Sequence, residues 1–411
     1  MKIAYVLGTF PAISETFILR EILALRERGI EVTIFALGRE TGSAKVHQAA
    51  APLLPDVLRR PSLLAGETLG CQFHFFSKAP LTYLGLVFGA ACGWGLRPGC
   101  VLRVWRNLMI AAVFACEAQR RHITHVHAHF AFMPAAVAEL MAYLLGGSFS
   151  VSVHAQDIYT QTDQALTARL AEATFVAVCT EVGRDHLRQH CPELFPDKIL
   201  LVRHGLTPRD FVPGKAQGSM ILGVGRLEPK KGFACLLDAC LLLAERGIAF
   251  TCQIAGDGPQ RAALQACISE HPRLRDRVRL TGVLTQEELQ KLYASASVFV
   301  LPSAVTPDGD RDGLPNAVLE AMAMELPVIS TWASASTEVI RNGMTGFLVA
   351  PGDTAALADR IQELLGDASL RERLGQAGRD LVCAEFDIAR NIEPLRQRFT
   401  AGTQTSGLVE P

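Results

Sequence analysis

MKIAYVLGTFPAISETFILREILALRERGIEVTIFAL, residues 1–37, reads as strand, loop, helix, strand. Residues 3–7 are apolar and β-like. Residues 14–28 repeat apolar side chains at helical spacing behind an N-cap signal, and residues 31–37 return to a strand pattern. Two strands joined by a crossover helix run parallel, so this βαβ unit predicts a parallel sheet covered by helices.

The pattern continues outward from there. After a mixed helical region, residues 122–127, 150–154, 175–179 and 199–202 look like further strands separated by helices, which completes one α/β domain. Residues 208–218, rich in proline, glycine and polar side chains, break the pattern and mark a linker. A fresh alternation follows, with strands at 220–224, 249–255, 278–280, 298–301, 327–330 and 346–349. Helices begin near Lys230, Pro259, Gln286, Leu314 and Thr354. The boundaries expected are 1–207, a linker at 208–218, 219–385, and a helix and tail at 386–411 that cross back to the first domain. Two doubly wound domains in tandem imply a cleft between the carboxyl ends of their sheets, where loops and helix N-termini converge on ligands.

A chain of 411 residues exceeds what one hydrophobic core usually supports, in keeping with two domains. With 49% apolar residues, 20% charged residues and a net charge of −1, it is neither a disordered chain nor one that coats nucleic acid. Charge is uneven, however: from Lys45 to Arg121, nine Lys and Arg face only Asp56, Glu67 and Glu117. That excess suits anionic lipid or an anionic acceptor, and equally a solvated helical face. Between Lys78 and Arg97 no formal charge occurs, but Pro80 and four glycines weaken the segment as a spanning helix. A buried helix and an interfacial helix remain as its readings. The 11 cysteines are scattered without metal-like spacing and read as small apolar residues in a reducing compartment. Pro11 and Glu15 interrupt the first apolar run, so it reads as a strand and not as a signal peptide, and a cytoplasmic location is expected.

GVGRLEPKKG, residues 223–232, leaves a strand and enters a helix, presenting backbone N–H groups and two cations suited to a pyrophosphate. It is no dinucleotide fingerprint, because Glu228 stands where the third glycine belongs. Nor is it a P-loop, because no Gly-Lys-Ser/Thr follows. DGLPNAVLE, residues 312–320, places Asp312 before a helix and Glu320 about two turns within it. Carboxylates so placed can accept bonds from sugar and ribose hydroxyls, although Asp312 also suits an ordinary capping role.

Arg226, Lys231, the Gly256-Asp-Gly-Pro259 run and the Asp312 to Glu320 run, in this order, resemble glycosyltransferase family 4, whose hallmark is an E-x7-E motif. The likeness extends through Glu338, the Asn342 to Gly346 run and the Pro351 to Asp353 run. In the first half, FPAISETF at 10–17, HAHF at 127–130 and HAQD at 154–157 look like the bacterial exopolysaccharide subgroup that includes colanic-acid-type transferases. The resemblance implies the GT-B architecture: two Rossmann-like, doubly wound parallel-sheet domains facing across a cleft, the first binding acceptor and the second the nucleotide-sugar donor.

By the same resemblance Arg226 and Lys231 hold the donor pyrophosphate, with Gly225 beside them. Glu320 binds the ribose, and Asp312 binds the transferred sugar with the backbone of Gly313, Leu314, Pro315 and Asn316. Val283 and Leu284 line the base pocket. His154 matches a histidine beside the transferred sugar, in a positioning or polarising role, while a structural histidine is its competing reading. His127 and His129 read as structural or acceptor-side. With His125 they invite a metal, but no carboxylate or cysteine lies at suitable sequence spacing. Two departures stand out. The first acid is Asp312, one methylene shorter than the family's glutamate, and the N-terminal loop reads Gly8-Thr-Phe-Pro11 where the family often has paired glycines. Ser14 or nearby backbone is the substitute expected there.

The function implied is a retaining transfer of a hexose from a UDP- or GDP-sugar to a lipid-linked oligosaccharide, for an exopolysaccharide or envelope polymer. It would take place at the inner face of the cell membrane, with no cofactor and no metal. Asp308, Asp310 and Asp312 spell Asp-x-Asp twice, a metal-binding pattern elsewhere, but Arg226 and Lys231 already supply positive charge. The alternatives are a GT-B nucleotide-sugar epimerase, which would turn over donor without acceptor, and a noncatalytic nucleotide-sugar-binding scaffold.

Overall fold

The computed structural model describes residues 1–402 except 13, 39–47, 82, 87–97, 161–163, 193 and 215–217. Most of the apolar stretch at 78–97 therefore lies outside the described residues, as do part of the linker and the tail beyond 402. Among the described residues no helix is long and apolar enough to cross a membrane.

Seven parallel strands form the first sheet: β1 (Lys2–Leu7), β2 (Glu31–Ala36), β3 (Leu58–Arg59), β4 (His125–His129), β5 (Ser148–Val153), β6 (Val176–Val178) and β7 (Ile199–Leu201). Their order is β3-β2-β1-β4-β5-β6-β7. The second sheet holds β8 (Met220–Val224), β9 (Thr251–Ala255), β10 (Val278–Gly282), β11 (Val298–Leu301), β12 (Val328–Thr331) and β13 (Phe347–Val349), ordered β10-β9-β8-β11-β12-β13. The expected fold class is the observed one. Strands such as β1 and β2 are buried on both faces after their first residue, which is why they read as near-continuous apolar runs. In each sheet the strand order reverses at one place, between β1 and β4 and between β8 and β11. Loops leaving those strands diverge to opposite faces and open a crevice at their carboxyl ends.

The helices that flank the sheets include α1 (Thr16–Glu27), α2 (Gly66–Lys78), α3 (Pro98–Arg120), α4 (Ala155–Tyr159), α5 (Asn316–Ala323) and α6 (Glu393–Gly402). The strand expected at 122–127 begins instead at His125. After α3 the chain turns through His122 at φ 59°, and the Ile123 N–H bonds back to the Ala118 carbonyl at 2.9 Å. The strand therefore ends on His129.

Alternate residues of β4 point to one face of the sheet, so His125, His127 and His129 share that face and all are buried. Serines on β5 satisfy two of them. His125 is bonded to Ser148 and Ser150, each at 2.8 Å, and His127 to Ser150 at 2.7 Å and Ser152 at 2.9 Å. Buried imidazoles without such partners would carry a desolvation cost. Phe399 of α6 closes over them from the far end of the chain, with its ring 5.4 Å from His125 and 5.3 Å from His127. Ile392 and Leu395 pack in the same cluster with Ile3, Tyr5 and Phe175, so the C-terminal helix completes the first core.

The next strand delivers His154, which precedes α4. Asp157 accepts the His154 N–H at 2.8 Å and the Ala131 N–H at 3.0 Å, tying the ends of β4 and β5 together.

These buried groups make stability depend on pH. Burial pushes His125 down to about 4, and burial with neighbouring histidines holds His127 and His154 well below the usual histidine range. A depressed folded value means the unfolded chain takes up the proton first. The stability these groups contribute is present above the unfolded value near 6.5 and is lost as pH falls toward the folded values. With His204, which burial also pushes down to about 4, four such groups amount to about 5 kcal/mol per pH unit at the steepest. Asp157, pushed up to about 7 by burial, acts in the opposite sense: its contribution is full at low pH and is lost as pH rises toward 7. The net expectation is a loss of about 4 kcal/mol per pH unit below about pH 6. Denaturant unfolding at about pH 7.5 and about pH 5.5 checks it, with a midpoint clearly lower in acid expected and an unchanged one contradicting it.

Candidate active site

Arg226 leaves β8 at the second switch point, on a loop braced by close backbone approach. Gly256 has φ 143°, and a Cβ there would meet the Gly225 carbonyl at 1.9 Å. The Gly225 N–H bonds the Ala255 carbonyl at 3.0 Å and the Leu227 N–H bonds the Asp257 carbonyl at 2.9 Å, so Arg226 stands on a fixed backbone. Its side chain is 60% exposed and reaches Glu228 at 2.8 Å, which leaves most of the guanidinium open to the cleft.

Lys231 closes a 3₁₀ turn before the helix Phe233–Glu245, and Gly232 turns that corner at φ 68°. A Cβ on Gly232 would lie 1.8 Å from the Pro302 carbonyl, so this junction packs directly on the end of β11. The result is a buried pair. Lys231 Nζ lies 2.9 Å from Asp312 Oδ1, and the Ser303 hydroxyl donates to Asp312 Oδ2 at 3.0 Å. Next to it Lys230 pairs with Asp310 at 2.9 Å, while Asp308 accepts from the Thr306 hydroxyl at 2.5 Å. Gly313 lies against the first half, where a Cβ on it would come 3.6 Å from the Ala155 methyl group. Asp312 and the start of α5 thus sit beside the residue that follows His154.

Across the cleft His154 is held in a chain of buried groups. Its Nε2 lies 3.2 Å from His129 Nδ1, and His129 Nε2 lies 2.9 Å from Glu21 Oε1, which also accepts the Tyr5 hydroxyl at 2.7 Å. Burial raises the Glu21 carboxyl, but His129 and the Tyr5 bond outweigh it and Glu21 stays below the usual range. His154, by contrast, is neutral near pH 7, so it acts as a hydrogen-bonding group and not as a cation. Phe17 packs on it at 4.9 Å and stacks on His204 at 4.2 Å. Phe130, held at φ 73° where a bulky side chain is costly, packs on His154 at 4.6 Å.

Glu320 does not stand free. Arg20 of α1 reaches it across the cleft at 2.6 Å, and the Tyr293 hydroxyl donates to its other oxygen at 3.2 Å. Neither partner was singled out from the sequence, because Arg20 reads as one more charged position on an amphipathic helix. His204 was also missed. Burial pushes it down to about 4, with Glu21 and a hydrogen bond to the Asn316 side chain acting against that shift. The Arg20 Nη1 is buried and unpartnered. The structure thus brings Lys231, Asp312, Gly313 and Asn316 to the wall that faces His154, with Arg226 on the loop beside Lys231. Val283 and Leu284 follow β10, two strands from β8 or about 10 Å along the sheet, and Val283 is exposed. Ser14 is exposed, and the Glu15 carboxyl next to it, raised by burial, feels the charges of His129 and Arg226.

Among the described residues, two groups of side chains come close enough to hold a metal ion, with ligand atoms within 4.8 Å of one another: His154, Cys179 and His204, and Glu21, His127 and His129. In the second, Tyr5, Ser150 and Ser152 already engage the ligand atoms. In the first, burial and the charge of Glu338 push the Cys179 thiol up to about 12, far from the thiolate that binds metal well.

The sequence model described as Glycosyl transferases group 1 matches residues 218–367, the stretch that carries the cations and both acids. The putative colanic acid biosynthesis glycosyltransferase WcaL of Salmonella typhimurium is 31% identical over 97% of this chain and 100% of its own length. The amylovoran biosynthesis glycosyltransferase AmsK of Erwinia amylovora is 28% identical over 100% of this chain and 99% of its own. Among solved structures, HepE of Anabaena in complex with UDP-glucose superposes with a TM-score of 0.71 at 15% identity, covering 98% of this chain and 100% of that one. Sucrose-phosphate synthase of Thermosynechococcus elongatus gives 0.72 at 20% identity, over 98% and 100%. The chain therefore belongs to the group 1 glycosyl transferases and is a glycosyltransferase of the GT-B architecture.

Proposed function

We propose that the chain is a retaining enzyme that moves a hexose from a UDP- or GDP-sugar to a growing, lipid-linked oligosaccharide of an exopolysaccharide or envelope polymer. The observation that carries this reading is the cleft wall itself: a braced, exposed Arg226 beside Lys231, which holds the buried Asp312 at 2.9 Å, with Gly313 packed against Ala155 of the opposite half. Cations and a carboxylate on one wall suit the diphosphate and the hydroxyls of a nucleotide-sugar. The near-full-length relatives named for colanic acid and amylovoran biosynthesis support the polymer. HepE, solved with UDP and with UDP-glucose, supports the donor class.

In this reading Arg226 and Lys231 stabilise charge on the departing nucleoside diphosphate. Asp312 keeps open acceptor sites for a sugar hydroxyl, since its two bonds use only part of its capacity. Glu320 holds the ribose, and neutral His154 faces the sugar. The acceptor oxygen bonds to the anomeric carbon on the face from which the phosphate oxygen leaves, and that phosphate takes the acceptor proton. No protein carboxylate serves as nucleophile, and no metal is used.

Membrane attachment forms part of the proposal. Helices α2 and α3 carry exposed Leu69, Phe73, Phe76, Leu102 and Trp105, with exposed Lys78 and Arg103 among them. An apolar surface framed by cations suits the interface of an anionic bilayer.

Three results follow. Arg226→Ala and Lys231→Ala should each lower turnover by about 30- to 1,000-fold, equivalent to about 2–4 kcal/mol, in folded protein. Near-normal activity of both removes the donor clamp. Asp312→Asn and Glu320→Gln should lose most activity, Asp308→Asn and Asp310→Asn little, and EDTA none. Inactivation by EDTA with recovery on Mn²⁺ overturns the metal-free mechanism. Full-length protein should cosediment with anionic vesicles at low salt and be released as salt rises, because exposed charges are screened over about 8 Å at physiological ionic strength. Phe73→Ser with Trp105→Ser should weaken it, and absence of cosedimentation by the parent counts against attachment.

A further inference from the structure

The two oxygens of Glu320 are each engaged once, by Arg20 and by Tyr293. A carboxylate offers about four lone-pair sites, so about two remain. Arg20 contributes from the other half of the molecule. Its Nη2 makes the bond to Glu320 at 2.6 Å, its guanidinium lies 5.8 Å from the centre of the Phe211 ring, and its Nη1 is buried without any partner. A guanidinium has five N–H donors in a fixed plane, and burying one of its terminal groups unsatisfied is costly. The pair therefore presents spare acceptors on Glu320 and a spare charged donor on Arg20, side by side.

A vicinal diol matches that arrangement. Each hydroxyl donates through its hydrogen and accepts through its lone pairs, so one diol can donate to Glu320 while accepting from Arg20. We infer that Arg20 is a ribose-binding residue supplied by the first half, so that the nucleotide is gripped from both sides of the cleft. The inference rests on the proposed donor role of Glu320 and goes beyond it by adding a contact from the opposite sheet. The ribose contact is complete only while α1 lies against α5, as it does in the Arg20–Glu320 pair.

The test uses the full chain and equilibrium binding, with UDP, GDP and their 2′-deoxy forms as probes and no acceptor present. Loss of one hydrogen bond to a charged group is expected to weaken binding about 10- to 100-fold, so the parent should prefer a ribonucleotide over its 2′-deoxy form by about that factor. Arg20→Lys keeps the ion pair but has a single ammonium in place of the planar fork. It should bind the ribonucleotide about tenfold more weakly and lose most of the 2′ preference. Arg20→Gln is the second variant and should behave likewise, with thermal unfolding confirming that each is folded. Parent-like affinity and 2′ preference in both variants overturn the inference while leaving Glu320 as the ribose residue. Parent-like binding by Glu320→Gln removes the reading beneath it, and the inference with it.

Discussion

A carboxylate buried in an apolar wall has to be paired, and the partner of Glu320 comes from the opposite half of the molecule. Breaking such a pair from one side typically costs about 3–5 kcal/mol, because the remaining charge is left buried alone. The Arg20 to Glu320 contact therefore constrains how the two sheets face each other. A second cross-cleft acid works in the same sense: Glu338 accepts the Val182 N–H at 3.0 Å and Arg203 at 2.7 Å. Arg311 adds a looser contact over the Tyr159 ring at 4.6 Å. The cleft is thus bordered by charged residues whose best partners lie on the other side.

Within the first sheet, one strand serves two ends. His125 and His127 are consumed by serines and sealed by Phe399, while His129, one step further along the same face, reaches both Glu21 and His154. The alternation of β4 makes this possible, since three histidines two apart stack along one face and only the last lies at the carboxyl edge. The helix that seals the first two comes from the end of the chain. It crosses after the Leu206 N–H donates to the Phe386 carbonyl at 2.8 Å, so the first core depends on residues beyond the second.

Much of this was legible in the sequence wherever a local signal coincided with a tertiary demand. β1, α1 and β2 announced themselves because their apolar periods are unbroken, and the 223–232 and 312–320 runs because glycine, cations and acids punctuate a strand-to-helix turn. β4 was placed too early because His122 carries no sign of a positive φ, and a histidine in a turn looks like a histidine in a strand. The two-residue strand β3 is too short for any period. Arg20, Tyr293 and His204 were invisible for a different reason. Their roles arise from contacts 300, 27 or more residues away in sequence, and nothing local distinguishes them from other residues of an amphipathic helix, a core or a loop.

The lysine pair shows how a local rule and a distant one combine. Lys230 and Lys231 are neighbours in a tight turn, so their side chains diverge by roughly 120°. Asp310 and Asp312 lie two apart in the loop before α5. Diverging cations and spaced anions meet in register, Lys230 with Asp310 and Lys231 with Asp312, each at 2.9 Å. The Asp-x-Asp spacing that elsewhere chelates a divalent ion is here matched by two ammonium groups instead. Pairing with Lys231 fixes Asp312 by charge and Ser303 fixes it by a hydrogen bond, so the carboxylate is held at both oxygens. The shorter aspartate fits this arrangement: with one methylene fewer than glutamate it has less rotamer freedom to lose when held at both oxygens.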